Sequence, residues 1–221
     1  MSAASLLRCS AVLFDLDGVL VDSAECVERT WRGWAVQHFL DPAHVIEFAH
    51  GRRTVETIGL VAPHLSAAHE ARILEASDPM TTNGIYEVPG ARRLVEGLPP
   101  DAWAIVTSGV RAVATLRIRH TGLPMPSVLV CADEIQRGKP DPEGYLLAAK
   151  RLGYSPAECV VVEDAPPGIE AAHNGGMRAV AISATYPSAA LQSADLIVPS
   201  LAALRITTMA SGLEITVASS D

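Results

Sequence analysis

The chain has 221 residues, of which 49% are hydrophobic and 19% charged, with a formal net charge of −8. That length suits one domain, or one core with an insertion, and that mixture excludes a largely disordered or fibrous chain. The 17 Lys and Arg are scattered, without the basic patch of a nucleic-acid binder, so no nucleic-acid partner is expected.

In chain order, Met1–Ser10 offers one Arg and the apolar pair Leu6–Leu7. It falls short of the ~7–15 uninterrupted apolar residues of a secretory signal, and no later run reaches the ~18 of a membrane span. The expectation is a cytoplasmic chain with no membrane partner. Ala11–Phe14 is the first strand candidate and runs straight into Asp15. From Ser23 to about Val88 no convincing β run occurs. Ala24–Leu40, Val45–Ala49, Val55–Val61 and Ser66–Ala76 read as helices, punctuated by Pro42, Gly51, Pro63 and Asp78–Pro79. This predicts a small helical subdomain, 23–87, inserted into a core made of 1–22 and 88–221. Its hinges are expected at Asp22–Ala24 and Glu87–Gly90.

Beyond the insertion, helices and short apolar runs alternate. Helices are expected over Ala91–Gly97, Arg111–His120, Glu143–Leu152 and Gly168–His173; strands over Ala104–Val106, Val128–Cys131, Val160–Val162, Ala179–Ile182 and Leu196–Val198. Pro142 suits a first-turn position and Gly153 a helix stop. Strands apolar on both faces and separated by helices indicate an α/β fold with a parallel sheet covered on two sides. The tail Thr207–Asp221 is ambiguous, with Leu213–Val217 either an edge strand or frayed. Cys9, Cys26, Cys131 and Cys159 form no CxxC motif, and the seven histidines are dispersed. Buried thiols are expected, not a zinc site. Trp31 and Trp34 share a helix face, which faces either the interior of the insertion or a dimer interface.

Four polar stations fall at strand ends, where open α/β sheets bind ligands. Asp15-Leu16-Asp17-Gly18 follows the first strand, and Gly18 allows a sharp turn. Two carboxylates so near repel and call for a cation or a proton. Thr107-Ser108-Gly109 follows the second strand and offers a hydroxyl and amides to an anion. Gly138-Lys139-Pro140 fixes a lysine between two turn formers. Glu163-Asp164 ends another buried run, where two acids are costly without a partner. Taken together, a carboxylate cluster with one lysine is a hard-oxygen Mg²⁺ site, and lysine with hydroxyl beside it suits a phosphoryl oxygen.

These stations, in this order over roughly Ala11–Leu204, resemble the four motifs of the haloacid-dehalogenase superfamily, in its helical-cap branch. The resemblance implies a Rossmann-like core, a mobile cap and Mg²⁺-dependent phosphoryl transfer through an aspartyl-phosphate. By position, Asp15 would be nucleophile and metal ligand. Asp17 would be general acid and base, its carbonyl on the metal. Thr107 and Lys139 would hold phosphoryl oxygens, with the amides of Leu16, Asp17 and Ser108 nearby. Asp164 would bind the metal, with Glu163 a second ligand or an orienter.

Asp17 favours phosphate over dehalogenase chemistry, since dehalogenase members lack it. The absence of any Lys before Lys139 excludes the Schiff base of the phosphonatase members. Val27 stands where sugar phosphomutases carry a cap-side His. The cap string His50-Gly51-Arg52-Arg53-Thr54 looks most like the sugar-phosphate and glycerol-phosphate phosphatases. Arg53 and His50 are the cap residues expected to touch substrate, and Arg52 is read as surface. The implied activity is a phosphatase for small sugar or polyol phosphates. The alternatives are a phosphomutase or phosphotransferase of the same family, or a phosphate-binding scaffold without catalysis. The partner is a small phosphate ester, and the state a monomer or weak homodimer.

Overall fold

The computed structural model describes residues 6–77 and 82–217. The break expected at Asp78–Pro79 and the chain ends lie outside the described residues. Strands β2 (Ala11–Phe14), β5 (Trp103–Val106), β6 (Val128–Val130), β7 (Cys159–Glu163), β8 (Arg178–Ile182) and β9 (Leu196–Val198) form one sheet in the order β6-β5-β2-β7-β8-β9. All its pairs are parallel. Parallel neighbours need crossovers, which helices α5 (Ala91–Glu96), α6 (Arg111–Thr121), α7 (Glu143–Leu152) and α8 (Pro166–Asn174) supply. Alternate side chains divide between two buried faces. Val12, Phe14, Trp103, Ile105, Val160 and Val162 pack on one. Ala11, Leu13, Ala104, Val106 and Val161 pack with Tyr145 and Ile169 on the other. Burial on both faces explains why these strands are continuous apolar runs rather than alternating ones.

Two elements depart from expectation. Leu6–Cys9 forms a strand, β1, and the tail forms a hairpin of β10 (Leu204–Met209) and β11 (Gly212–Val217). These three make a separate antiparallel sheet in the order β1-β11-β10. The tail segment is therefore the central strand of its sheet, neither an edge nor frayed. Leu213 and Ile215 are buried in the core beside Leu204, so one face of the sheet supplies apolar area. Pro142 is the residue before α7, not in its first turn. Asp141 Oδ1 accepts from Glu143 N at 3.0 Å there.

The insertion comprises α1 (Ala24–Gln37), α2 (Pro42–Ala49), α3 (Thr54–Val61) and α4 (Ala67–Ser77). It leaves the core through β3 (Val21–Asp22) and returns through β4 (Tyr86–Glu87), and these two short strands pair antiparallel. Its own core gathers Trp31, Trp34, Val45, Ile58 and Leu74. The two indoles meet edge to face at 5.6 Å, a geometry worth about 0.5–1.5 kcal/mol beyond area burial. Trp34 Nε1 donates to Glu70 Oε2 at 3.1 Å. Both rings thus pack in the core of the insertion. All four cysteines are buried and none forms a disulfide, and burial pushes Cys9 and Cys131 up to about 12 and Cys159 to about 11. Among the described residues, no helix is long and apolar enough to cross a membrane.

Candidate active site

The strand ends of the sheet and the insertion enclose a cavity of about 670 Å³. Asp15 follows β2, and its amide donates to Val162 O of the neighbouring strand at 3.0 Å. Lys139 arrives from the loop before α7. Its Nζ donates to Asp15 Oδ1 at 2.7 Å and to Glu163 Oε1 at 2.5 Å. Tyr145, in the first turn of α7, donates its hydroxyl to the same Glu163 oxygen at 2.6 Å. The other oxygen, Oε2, accepts from the amides of Asp164 and Ala165. Glu163 is fully buried with both oxygens engaged, which makes it the anchor of Lys139. Thr185 donates to Asp164 Oδ2.

Electrostatics follow from the burial. Asp15 is pushed well above the usual carboxylate range, first by desolvation; Lys139 opposes the shift and Glu163 and Asp164 add to it. Asp164 is raised to about 7, by desolvation and then by Glu163. Burial alone would lower Lys139, but Asp15 and Glu163 outweigh it and hold the ammonium above its ordinary value. Tyr145 is raised well above its ordinary value by burial and by Glu163, so it stays a donor.

Ligand oxygens of Asp15, Glu163 and Asp164 lie within 4.8 Å of one another. Three buried acids against one lysine leave excess negative charge, and their hard oxygens fit a hard divalent cation. Gly18 has φ +82°, and a Cβ there would overlap Asp164 Oδ2. Only glycine lets this turn pass so close to the carboxylate.

Asp17 takes a different position. Its Oδ1 accepts from Ser23 Oγ and from Arg117 Nη1, each at 2.6 Å. Ser23 precedes α1 and bonds Asp17 instead of capping its own helix. Arg117 lies on the buried face of α6 with Val113, Ala114 and Ile118. Thr107 Oγ accepts from Gly109 N at 3.0 Å, which leaves its proton to donate into the cavity it lines. Ser108 also lines the cavity, while its hydroxyl donates to Gly51 O of the insertion at 2.9 Å. Leu16 is fully buried, and only its backbone could serve a ligand.

The insertion supplies the opposite wall with Val27, Glu28, Trp31, His50 and Arg52. Burial lowers the His50 pKa, against a smaller upward effect of Glu28. Two expectations for this wall are corrected. Arg52, read as surface, lines the cavity, whereas Arg53 does not. The Arg53 guanidinium turns to Glu56 and to the carbonyls of Ile135 and Gln136. Residues missed at the sequence level are Tyr145, Arg117, Thr185 and Glu56. Arg117 left a signal, since a charged side chain on an otherwise apolar helix face needs a partner. Tyr145 left a weaker one, since a phenol on a buried face also seeks an acceptor.

A parallel sheet with buried acids at its strand ends and a lysine bonded to them, facing a helical insertion across the cavity, has the charges to hold a cation and an anionic group side by side. The family model of haloacid dehalogenase-like hydrolases matches residues 9–176, and the chain belongs to that family. It is 41% identical to hexitol phosphatase A of Escherichia coli K12 over 214 residues, covering 93% of this chain and 98% of that protein. It is 34% identical to glycerol-1-phosphate phosphohydrolase 2 of Saccharomyces cerevisiae, covering 90% and 86% of the two chains. The solved structure of a hydrolase from Pseudomonas syringae superposes with a TM-score of 0.75 at 27% identity, over 87% of this chain and 94% of that one.

Proposed function

We propose that the chain is a Mg²⁺-dependent phosphatase of small monophosphate esters, with sugar or polyol phosphates as the substrate class. The single observation that carries this reading is the buried triad in which Lys139 bridges Asp15 and Glu163 at 2.7 and 2.5 Å, with Asp15 the member that lines the cavity. A carboxylate beside a fixed positive charge supports a nucleophilic role for Asp15. The names of the relatives support the substrate class.

In this reading, Asp15 and Asp164 would hold the cation with the backbone carbonyl of Asp17, and Glu163 positions Lys139. The bound Mg²⁺ supplies charge neutralisation at the phosphoryl oxygens. Asp15 attacks phosphorus through the carboxylate oxygen that Lys139 leaves free. As the P–O bond to the alcohol breaks, Asp17 donates a proton to the departing oxygen. Both bonds to Asp17 fall on Oδ1, and Oδ2 remains to carry that proton. Water then attacks the phosphoaspartate, Asp17 takes its proton, and the bond between phosphorus and Asp15 breaks. Carboxylate attack divides one hard hydrolysis into two easier steps. Lys139, Thr107 and the amides following Asp15 and Thr107 align the transferring group. The helical insertion, 23–87, acts as a cap hinged on the paired strands β3 and β4, and it excludes water when closed. Val27 in the cavity wall offers no proton-transferring group where a mutase would use one. A cytoplasmic location belongs to the same reading, supported by four buried thiols without a disulfide.

The test is phosphate release from a panel of phosphorylated metabolites with Mg²⁺, beside Asp15→Asn and a chelated sample. Release from hexitol, hexose or glycerol phosphates, lost in both controls, is the expected result. Phosphate moved within a sugar without release would establish a mutase instead.

A further inference from the structure

The segment from Gly51 to Glu56 is tied to two core loops at once. Ser108 Oγ donates to Gly51 O at 2.9 Å, and a Cβ on Gly51 would lie 3.0 Å from that of Ala165. Further along, Glu56 Oε1 accepts from Gly138 N at 2.8 Å and from Arg53 Nε and Nη2 at 3.0 and 2.6 Å. Arg53 in turn donates to Ile135 O at 3.0 Å and to Gln136 O at 2.6 Å. A Cβ on Gly138 would overlap Glu56 Oε2 and crowd Arg53. Glycine is what admits the insertion so close to this loop.

The loop from Ile135 to Gly138 has no regular structure, and Lys139 follows it directly. Side chains hold it from two sides. Glu143 of α7 accepts from the amides of Gln136 and Arg137, each at 3.0 Å. The remaining side-chain bonds to Ile135, Gln136 and Gly138 come from Arg53 and Glu56 of the insertion. Among the described residues, lifting the insertion therefore removes three of the five side-chain bonds to the main chain of residues 135–138, and leaves the backbone bond from Asp141 N to Gly138 O.

We infer that Arg53 and Glu56 form a latch that couples seating of the cap to the placement of Lys139. They are positioning residues, not substrate contacts. The latch rests on the phosphatase reading only for its consequence in catalysis; its geometry stands apart from it. A lysine displaced by even ~1 Å loses alignment with the phosphoryl group, a misplacement that costs on the order of a hundredfold in rate at its worst.

The experiment takes the full chain and compares Arg53→Ala, Glu56→Ala, the double variant and Glu56→Gln. Amide exchange at Gly138 is read first, without substrate. It should quicken about tenfold in Glu56→Ala and stay slow in Glu56→Gln, which keeps the accepting oxygen. Phosphate release is then measured on a polyol phosphate and on a small aryl phosphate. The latch requires kcat to fall by one common factor, about tenfold, on both esters. The double variant should fall no further than either single one, since the two residues act as a unit. Glu56→Gln should recover most of the loss.

A rise in KM for the polyol phosphate alone, with Gly138 exchange unchanged, would make Arg53 a substrate contact and overturn the latch. So would unchanged kcat in all variants. If the wild-type protein hydrolyses no ester, the phosphatase reading fails, while Gly138 exchange still decides the latch.

Discussion

At the floor of the cavity, Asp15 is backed by Lys139 and Glu163; the side chains of Lys139 and Asp15 are 6% exposed, that of Glu163 is 0% exposed, and each is bonded to another member of the cluster. On the cap wall, His50 and Arg52 are half-buried, and Glu28 is exposed and pairs with Arg32 on its own helix. The floor is a closed set of charges in which every group needs its neighbours. The wall is a set of separate side chains. In a floor of this kind a change that strands a buried charge is costly. A wall of this kind can vary residue by residue with the shape and hydroxyl pattern of a substrate.

The sharpest way to break this contrast is Asp15→Asn. It should abolish phosphate release, with a loss of about 10³-fold or more, while the protein stays folded. Circular dichroism alongside the assay checks both. Residual activity near the wild-type level would remove Asp15 from the chemistry. Next in size is Lys139→Met, which strands Asp15 and Glu163 without their cation. Activity should fall by about 10²–10³-fold, and denaturant unfolding should show a cost of about 3–5 kcal/mol. An equal activity loss from Arg52→Ala would erase the distinction between floor and wall.

Metal and pH sharpen the comparison on the floor. Asp164 sits at about 7 in the metal-free protein, above the 3.8 of an ordinary aspartate. The folded state therefore holds a proton there that the unfolded state has lost. Its contribution to stability is present below about pH 4 and disappears as pH rises through about 7. A cation bound to the carboxylates reverses this at high pH. Thermal unfolding with Mg²⁺ and with chelator should thus differ more at pH 8 than at pH 5, and removing Mg²⁺ should stop phosphate release. Equal shifts at both pH values would argue against Asp164 as a ligand. The smallest effect belongs to the cap core. Trp34→Phe removes the bond to Glu70 and should cost about 1 kcal/mol of stability with kcat unchanged. A large fall in kcat would mean that cap packing controls the floor more directly than the latch allows.

The acid and hydroxyl stations of the floor were legible because each joins a short apolar run to a polar turn, and burial on both sheet faces makes that pattern local; Lys139 was legible only as a lysine held between Gly138 and Pro140. The wall was not. Arg52 and Arg53 are adjacent in sequence, and their spacing does not show which one turns into the cavity. The loop that captures Arg53 lies 82 residues further along the chain. Strand β1 escaped notice for a similar reason. Leu6–Cys9 is short, and its partner Leu213–Thr216 lies near the other end of the chain. Neither segment shows a strand pattern strong enough by itself.

Local patterns thus determined the parallel sheet, the helical insertion and the identity of the acids, hydroxyl and lysine at the strand ends. Each of these follows from neighbours within a few residues: apolar runs that bury both faces, and polar turns that end them. Tertiary structure alone decided that Tyr145 and Glu163 anchor Lys139, that Arg117 and Ser23 hold Asp17, and that Arg53 faces the Lys139 loop instead of the cavity. Those pairings join side chains from separate elements, and their energy depends on burial and distance, which no spacing along the chain encodes.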